Sequence, residues 1–211
     1  MTTRVLIVDD HPLLRRGVSQ LLAMEPGLES VGEASNGADA LQMVRELAPD
    51  LVLLDLNMRG MSGVETLKAL RDEGSDACVV VLTVSDSDED ISASLRAGAN
   101  GYLLKDMEPE ALVAHLRRAA QGETVISEAL ASTLARALTQ GRRHDAPRIE
   151  NLTAREREIL RHLARGESNK TIARKLGITE GTTKVHVKNL LKKMQLRSRL
   201  EAAVWAVQHG L

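Results

Sequence analysis

"LVLLDLNMRGMSG", residues 51–63, sets an apolar tetrad against a carboxylate and then a polar, Gly-rich turn. A continuous apolar run favours burial on both faces, as in a parallel sheet, whereas an ionised Asp needs water, a cation or a hydrogen-bond donor. Asp55 is therefore either a plain strand end or the rim of a site. Four more apolar runs flank it: "VLIV" (5–8), a weaker "SVGEA" (30–34), "VVVL" (79–82) and "GYLL" (101–104). Helical spacing fills the gaps. Leu14, Val18, Leu21 and Leu22 follow Pro12; Ala38, Leu41 and Val44 precede Pro49; Val64, Leu67 and Leu70 come next; Ile91 and Leu95 stop at Gly98; Leu112, Val113 and Leu116 come last. Strand and helix alternating five times predicts an α/β domain with a doubly wound, five-stranded parallel sheet.

With 43% hydrophobic residues but no Phe, one Tyr and one Trp, the 211-residue chain must build aliphatic cores. No apolar run approaches the roughly 18 residues that span a bilayer, and "MTTRVLIVDD" lacks a signal-peptide pattern. A single Cys78 excludes an internal disulfide and reads as a partly buried, inert side chain. These features predict a cytoplasmic protein with no membrane partner. The net charge of −1 is divided: residues 1–126 carry −10, residues 127–147 +1 and residues 148–211 +8. An acidic body joined to a basic tail suggests two tasks, the second near nucleic acid. The expected domains are 1–126, a linker with a helix over 127–147, and an all-α domain over 148–211.

In an open parallel sheet, ligands bind at the carboxyl ends of the strands. Here the first strand ends at Asp9 and Asp10, the third at Asp55, the fourth at Thr83 and the fifth at Lys105. Crowded carboxylates repel, and oxygen-only ligands of this kind suit Mg²⁺. A metal beside a lysine makes an anion site, in which one carboxylate can attack phosphorus. His11, with no second His nearby in the sequence, reads as a surface or capping residue.

"VLIVDDHPLLRRG", "PDLVLLDLNM", "VVVLTVS" and "GANGYLLKD" resemble the motifs of receiver domains of two-component response regulators, in the right order over residues 4 to about 125. The resemblance implies a flavodoxin-like receiver in which Asp55 accepts a phosphoryl group from a sensor histidine kinase. It implies Mg²⁺ held by Asp9, Asp10 and Asp55 with the backbone carbonyl of Asn57, and Lys105 on the phosphoryl oxygens. Thr83 would swing onto the phosphoryl group, with Tyr102 either the aromatic switch that follows it or ordinary core. One departure is Arg59, where family members usually carry Pro.

The basic tail reads as four helices. Thr153 and Glu156 form a capping box before a stripe of Ile159, Leu160 and Leu163, ended by Gly166. Ile172, Ala173 and Leu176 mark a short helix, and Gly177 supplies a turn. A third helix, roughly 180–194, is expected to turn Val185, Leu190, Leu191 and Met194 inward and to carry Lys184, Lys188, Lys192 and Lys193 elsewhere. A fourth, about 198–209, offers Leu200, Ala203, Val204 and Val207, with Trp205 in the packing. A short helix, a Gly turn and a basic helix make a helix-turn-helix, whose second helix enters the major groove. "LTAREREIL", "GESNKTIARKLGIT" and "TTKVHVKNLLKKM" resemble the LuxR-type DNA-binding domain. That likeness implies Lys184, Val185 and Lys188 at base edges or nearby phosphates. It implies backbone contacts from Thr182, Lys192 and Lys193, and further phosphate contacts from Asn169 and Lys170. Gly181 costs the third helix up to roughly 1 kcal/mol in its first turn, so that helix is expected to settle only on DNA.

Together the halves resemble the NarL/FixJ family of response regulators. The resemblance implies promoter binding as a homodimer, control of genes for anaerobic nitrate respiration, and a receiver that covers the recognition helix until Asp55 is phosphorylated. Two rivals are an aspartyl-phosphate phosphatase, which usually has a second Asp where this chain has Asn57, and a constitutive DNA-binding protein with an inert receiver.

Overall fold

The structure is a computed structural model that describes residues 2–126, 149–196 and 198–211. The helix and linker expected over 127–147 lie outside the described residues.

The strands β1 (Thr3–Val8), β2 (Leu28–Ala34), β3 (Leu51–Leu54), β4 (Cys78–Thr83) and β5 (Gly101–Leu104) form where the apolar runs stand. They alternate with α1 (Pro12–Ala23), α2 (Gly37–Leu47), α3 (Gly63–Asp72), α4 (Asp88–Ala97) and α5 (Pro109–Ala120). All pairings are parallel, in the order β2-β1-β3-β4-β5-β6. The expected five strands form the core of the sheet, and a sixth, β6 (Val125–Ile126), adds two residues beside Gly101 and Tyr102. Gly101 admits it, because a Cβ there would meet the Val125 side chain at 2.5 Å.

Side chains alternate along each strand, so the sheet builds two cores. Leu6, Val8, Val52, Leu54, Val79 and Val81 face α2, α3 and α4. Val5, Ile7, Leu51, Leu53, Val80 and Leu82 face α1 and α5. On α2 the inward residue is Ala40, one turn before Val44, and Ala38 is exposed, contrary to the stripe expected from spacing.

The C-terminal domain comprises a 3₁₀ turn (Ile149–Asn151), α6 (Ala154–Ala164), α7 (Asn169–Leu176), α8 (Glu180–Met194) and α9 (Arg199–Gln208). The Thr153–Glu156 capping box forms as expected, and Lys193 reaches the buried Glu156 at 2.7 Å. Gly177 takes φ +65° at the α7–α8 turn, where an L side chain would be strained. Trp205 is buried and stacks on His209 at 4.0 Å between ring centroids. Three expectations are corrected. Val185 is 58% exposed; Leu190 and Met194 turn inward as expected, with Leu191 partly buried beside them, and Thr183 and Val187 join them. Val207 is exposed, leaving Leu200, Ala203 and Val204 as the buried residues of that stripe. The first turn of α8 is already formed without DNA: Thr179 accepts from Thr182 N, and Thr183 Oγ1 donates to Thr179 O, offsetting Gly181.

The two domains meet. Leu200 and Val204 of α9 join the apolar cluster on the α2–α3–α4 face, and α9 packs against α4. Arg199 enters the same seam beside Gly122; burial pushes its guanidinium down to about 10, against the opposing pull of Cys78 and Glu123. It donates to Glu167 O at 2.6 Å and to Asn169 Oδ1 at 3.4 Å.

Candidate functional site

The acidic rim assembles because β1, β3, β4 and β5 are adjacent and end together. Asp9, Asp55 and Thr83 are buried. Oxygens of Asp9, Asp10 and Asp55 and a ring nitrogen of His11 all lie within 4.8 Å of one another. Lys105 Nζ sits 2.7 Å from Asp9 Oδ2 and 2.7 Å from Asp55 Oδ2. Burial works to lower the Lys105 ammonium, but its bonds to Asp55 and Asp9 outweigh that and raise it, so the cation is firmly held. Asp55 Oδ1 is buried with no hydrogen-bond donor among the described residues.

The loop after β3 is fixed tightly. Gly63 N donates to Leu56 O at 2.9 Å, and a Cβ on Gly63 would strike the Asp55 carbonyl oxygen. Ser62 and Glu65 form a reciprocal capping box at the start of α3, as expected where a chain must turn sharply from strand to helix. Asn57, beyond Asp55, reaches Thr83 Oγ1 with its Nδ2 at 3.5 Å. His11 stands at the N-cap position of α1 without capping it. Its ring is exposed, and its Nδ1 lies 2.9 Å from Asp10 and 3.2 Å from Asp9.

Tyr102 is fully buried, and burial raises its phenol. Its hydroxyl donates to Ser85 O at 2.9 Å. Ser85 is a residue that sequence reasoning missed. Its N–H donates to Thr83 Oγ1 at 3.3 Å and its Oγ to Asp90 Oδ2 on α4 at 2.5 Å. One loop serine thus touches the strand-end hydroxyl, the buried phenol and the helix against which α9 packs. The signal for it was Thr83, whose hydroxyl can accept from the backbone N–H two places on, as in a Ser/Thr turn, and so marks position 85. Arg71 was missed too. It is largely buried and donates to the carbonyls of Ser75, Ala77 and Gly98 and to Asn100 Oδ1, pinning the end of α3 to the turn before β5. Cys78 matches its expectation: burial pushes its thiol up to about 11, so it is a poor nucleophile.

On α8, Lys184, Lys188 and Lys192 are exposed and line a cavity of about 670 Å³ between the domains, with Asp76 and Glu123 in its wall. Lys184 lies 3.5 Å from Glu180. Thr182 and Lys170 are exposed, while Asn169 accepts from Arg199 and Lys193 is held by Glu156.

Oxygen ligands crowded at parallel strand ends, a shared lysine and a strand-end threonine, joined to a helix-turn-helix, define a two-domain regulator. Residues 5–117 match the response regulator receiver domain, and residues 150–206 match the bacterial regulatory proteins of the luxR family. The chain belongs to the response regulators that join a receiver domain to a LuxR-type DNA-binding domain. Among its relatives is the nitrate/nitrite response regulator protein NarL of Escherichia coli K12, 53% identical over 98% of this chain and 96% of that one. Another is the nitrate/nitrite response regulator protein homolog of Haemophilus influenzae, 45% identical over 95% of this chain and 94% of the relative. The crystal structure of the response regulator ChrA of a heme-sensing two-component system matches with a TM-score of 0.52 at 36% identity, covering 99% of this chain and 98% of that chain. This membership makes the chain a two-component transcription regulator, and the phosphatase reading gives way. Among the described residues no helix is long and apolar enough to cross a membrane.

Proposed function

We infer that this regulator is switched by phosphorylation of Asp55, with the phosphoryl group supplied by a sensor histidine kinase, and that it acts in the cytoplasm on nitrate- and nitrite-responsive promoters. The observation that carries the reading is the Asp55 carboxylate: buried, with one oxygen on Lys105 and the other without a donor among the described residues. Asp9, Asp10, Asp55 and the Asn57 carbonyl would hold Mg²⁺, which suits a cluster of oxygen donors and would neutralise the crowding of like charges. Asp55 forms the bond to phosphorus while the bond from phosphorus to the donor imidazole breaks, its electron pair staying on nitrogen. Lys105 then pairs with the phosphoryl oxygens, and Thr83 exchanges its bond from Ser85 N for one to the phosphoryl group.

Because Ser85 also holds Asp90 and the Tyr102 hydroxyl, that exchange bears on α4 and on the α9 seam. Opening the seam would free Lys184, Val185 and Lys188 for base edges and nearby phosphates. Thr182, Lys192, Lys193, Asn169 and Lys170 would contact the backbone, in a homodimer on paired half-sites. The nitrate signal is supported by the relatives named for it. The domain limits 1–126, 127–147 and 148–211 belong to the same proposal.

The test is intact-mass measurement after incubation with a small phosphodonor, with Mg²⁺ and with EDTA. A single phosphoryl adduct that forms only with the metal, mapped to Asp55 and accompanied by tighter promoter binding, is expected. An adduct elsewhere or none sinks the reading. For the DNA face, Lys188→Ala should weaken binding about five- to tenfold. If the contact is to phosphate, the salt slope should also fall by about one. Unchanged affinity and slope would remove α8 as the reader.

A further inference from the structure

A second cavity, of about 840 Å³, opens where the base of the receiver meets α7, at the end of the sheet opposite the acidic rim. Thr3 and the C-terminal part of α5 form one wall, and the first two turns of α7 with Glu180 form the other. Its charges are uneven. Lys170 and Arg174 stand four residues apart on α7, hence on one face, where like charges repel. Both are exposed, and neither has an ion pair or hydrogen bond with any described residue. Arg117 faces them from the receiver side, where Glu25 pairs with it. Glu180 is the sole carboxylate of the wall among the described residues, and Lys184 already stands 3.5 Å from it. Elsewhere the contact between the domains is apolar, through Leu200 and Val204. Here it sets cations of one domain towards a cation of the other.

We propose that this cavity is a site for a compact oligophosphate, whose bound anion ties the two domains together and holds the chain off DNA. A multiply charged anion can meet guanidinium groups from both walls at once, and arginine suits phosphate through paired N–H donors. The volume is that of a small-ligand site. Thr3 and Thr171 add hydroxyls to the wall, but among the described residues it holds no aromatic side chain on which a nucleobase could stack. The phosphate groups are therefore what it recognises. Lys170 is also one of the residues proposed for DNA phosphates. A molecule that engages Lys170 and Arg117 together excludes that contact and, by linkage, favours the closed arrangement. The effect on DNA rests on the helix-turn-helix reading, whereas the binding itself does not.

The probe is inorganic tripolyphosphate, titrated by calorimetry into the full, unphosphorylated chain at low salt, with EDTA present so that no metal draws the anion to the acidic rim. Saturable one-to-one binding is expected. Arg117→Gln and Arg174→Gln should each weaken it about fivefold, the scale of an exposed ion pair. Arg117→Lys should retain most of the affinity, and Lys188→Ala, on α8 outside this cavity, should leave it within about twofold. In parallel, tripolyphosphate should weaken promoter binding by the unaltered chain and do so several-fold less for Arg117→Gln, because Arg117 belongs to the receiver. Weakening by Arg174→Gln but not by Arg117→Gln would put the anion on the DNA-binding face alone and overturn the inference. Equal weakening by Lys188→Ala, undiminished competition in Arg117→Gln, or no saturable binding would overturn it too. None of these outcomes bears on Asp55, and promoter binding without the anion tests the helix-turn-helix reading by itself.

Discussion

Asp55→Asn is expected to abolish phosphodonor-dependent DNA binding outright while leaving the fold in place. The amide keeps the size and planarity of the carboxylate but has no anionic oxygen to attack phosphorus. Lys105 retains Asp9 as a partner at 2.7 Å. Removing one of three crowded carboxylates also relieves repulsion, so the melting temperature should hold or rise slightly. Promoter binding before and after donor treatment, together with a melting curve, checks both halves. A variant that still responds to the donor places the acceptor on another residue. A variant that unfolds would instead show that Lys105 needs both carboxylates.

Gly63→Ala should produce the largest loss of stability from a single methyl group. The added Cβ would overlap the Asp55 carbonyl oxygen and lie 2.6 Å from Leu56 Cα, and backbone offers none of the give of a flexible side chain. Either α3 lifts from the end of β3 or the loop behind the acidic rim shifts. Overpacking of this kind costs about 3 kcal/mol, which for a domain of this size lowers the midpoint of melting by about 10 °C. The displaced loop carries Asp55 and Asn57, so the rate of Asp55 phosphorylation should fall with it. Thermal unfolding and donor kinetics on the same sample test this. A fully stable variant would mean that the turn tolerates a side chain.

The two-faced strands and their polar ends were legible because both follow from local pattern. A parallel strand buried on both sides reads as an unbroken apolar run, and the first charged or hydroxyl residue after it marks the rim. Hence Asp9, Asp55, Thr83 and Lys105 could be placed from the sequence, and Lys105 proves to bridge two of them. What lay beyond reach depends on tertiary partners. β6 is two residues long and owes its existence to the gap at Gly101. On α8, Val185 and Val187 are two residues, or about 200°, apart on the helix. Spacing alone left the phase open, and packing of Thr183, Val187, Leu190 and Met194 settled it. Ser85 and Arg71 carry no motif, because their roles lie in groups that meet only once the sheet is built.

Under the proposed switch, the seam at α9 sets how leaky the unstimulated regulator is. Leu200 is fully buried and Val204 nearly so, both within the apolar cluster of the neighbouring domain. Stripping two such side chains into water costs about 3–6 kcal/mol, so between roughly one molecule in a hundred and one in ten thousand stands unlatched with no signal present. The stimulus must supply about twice that difference to invert the ratio, and a comparable one only to reach equal populations. Trimming Leu200 to a smaller residue should raise promoter binding in the absence of a phosphodonor before it touches the response to one.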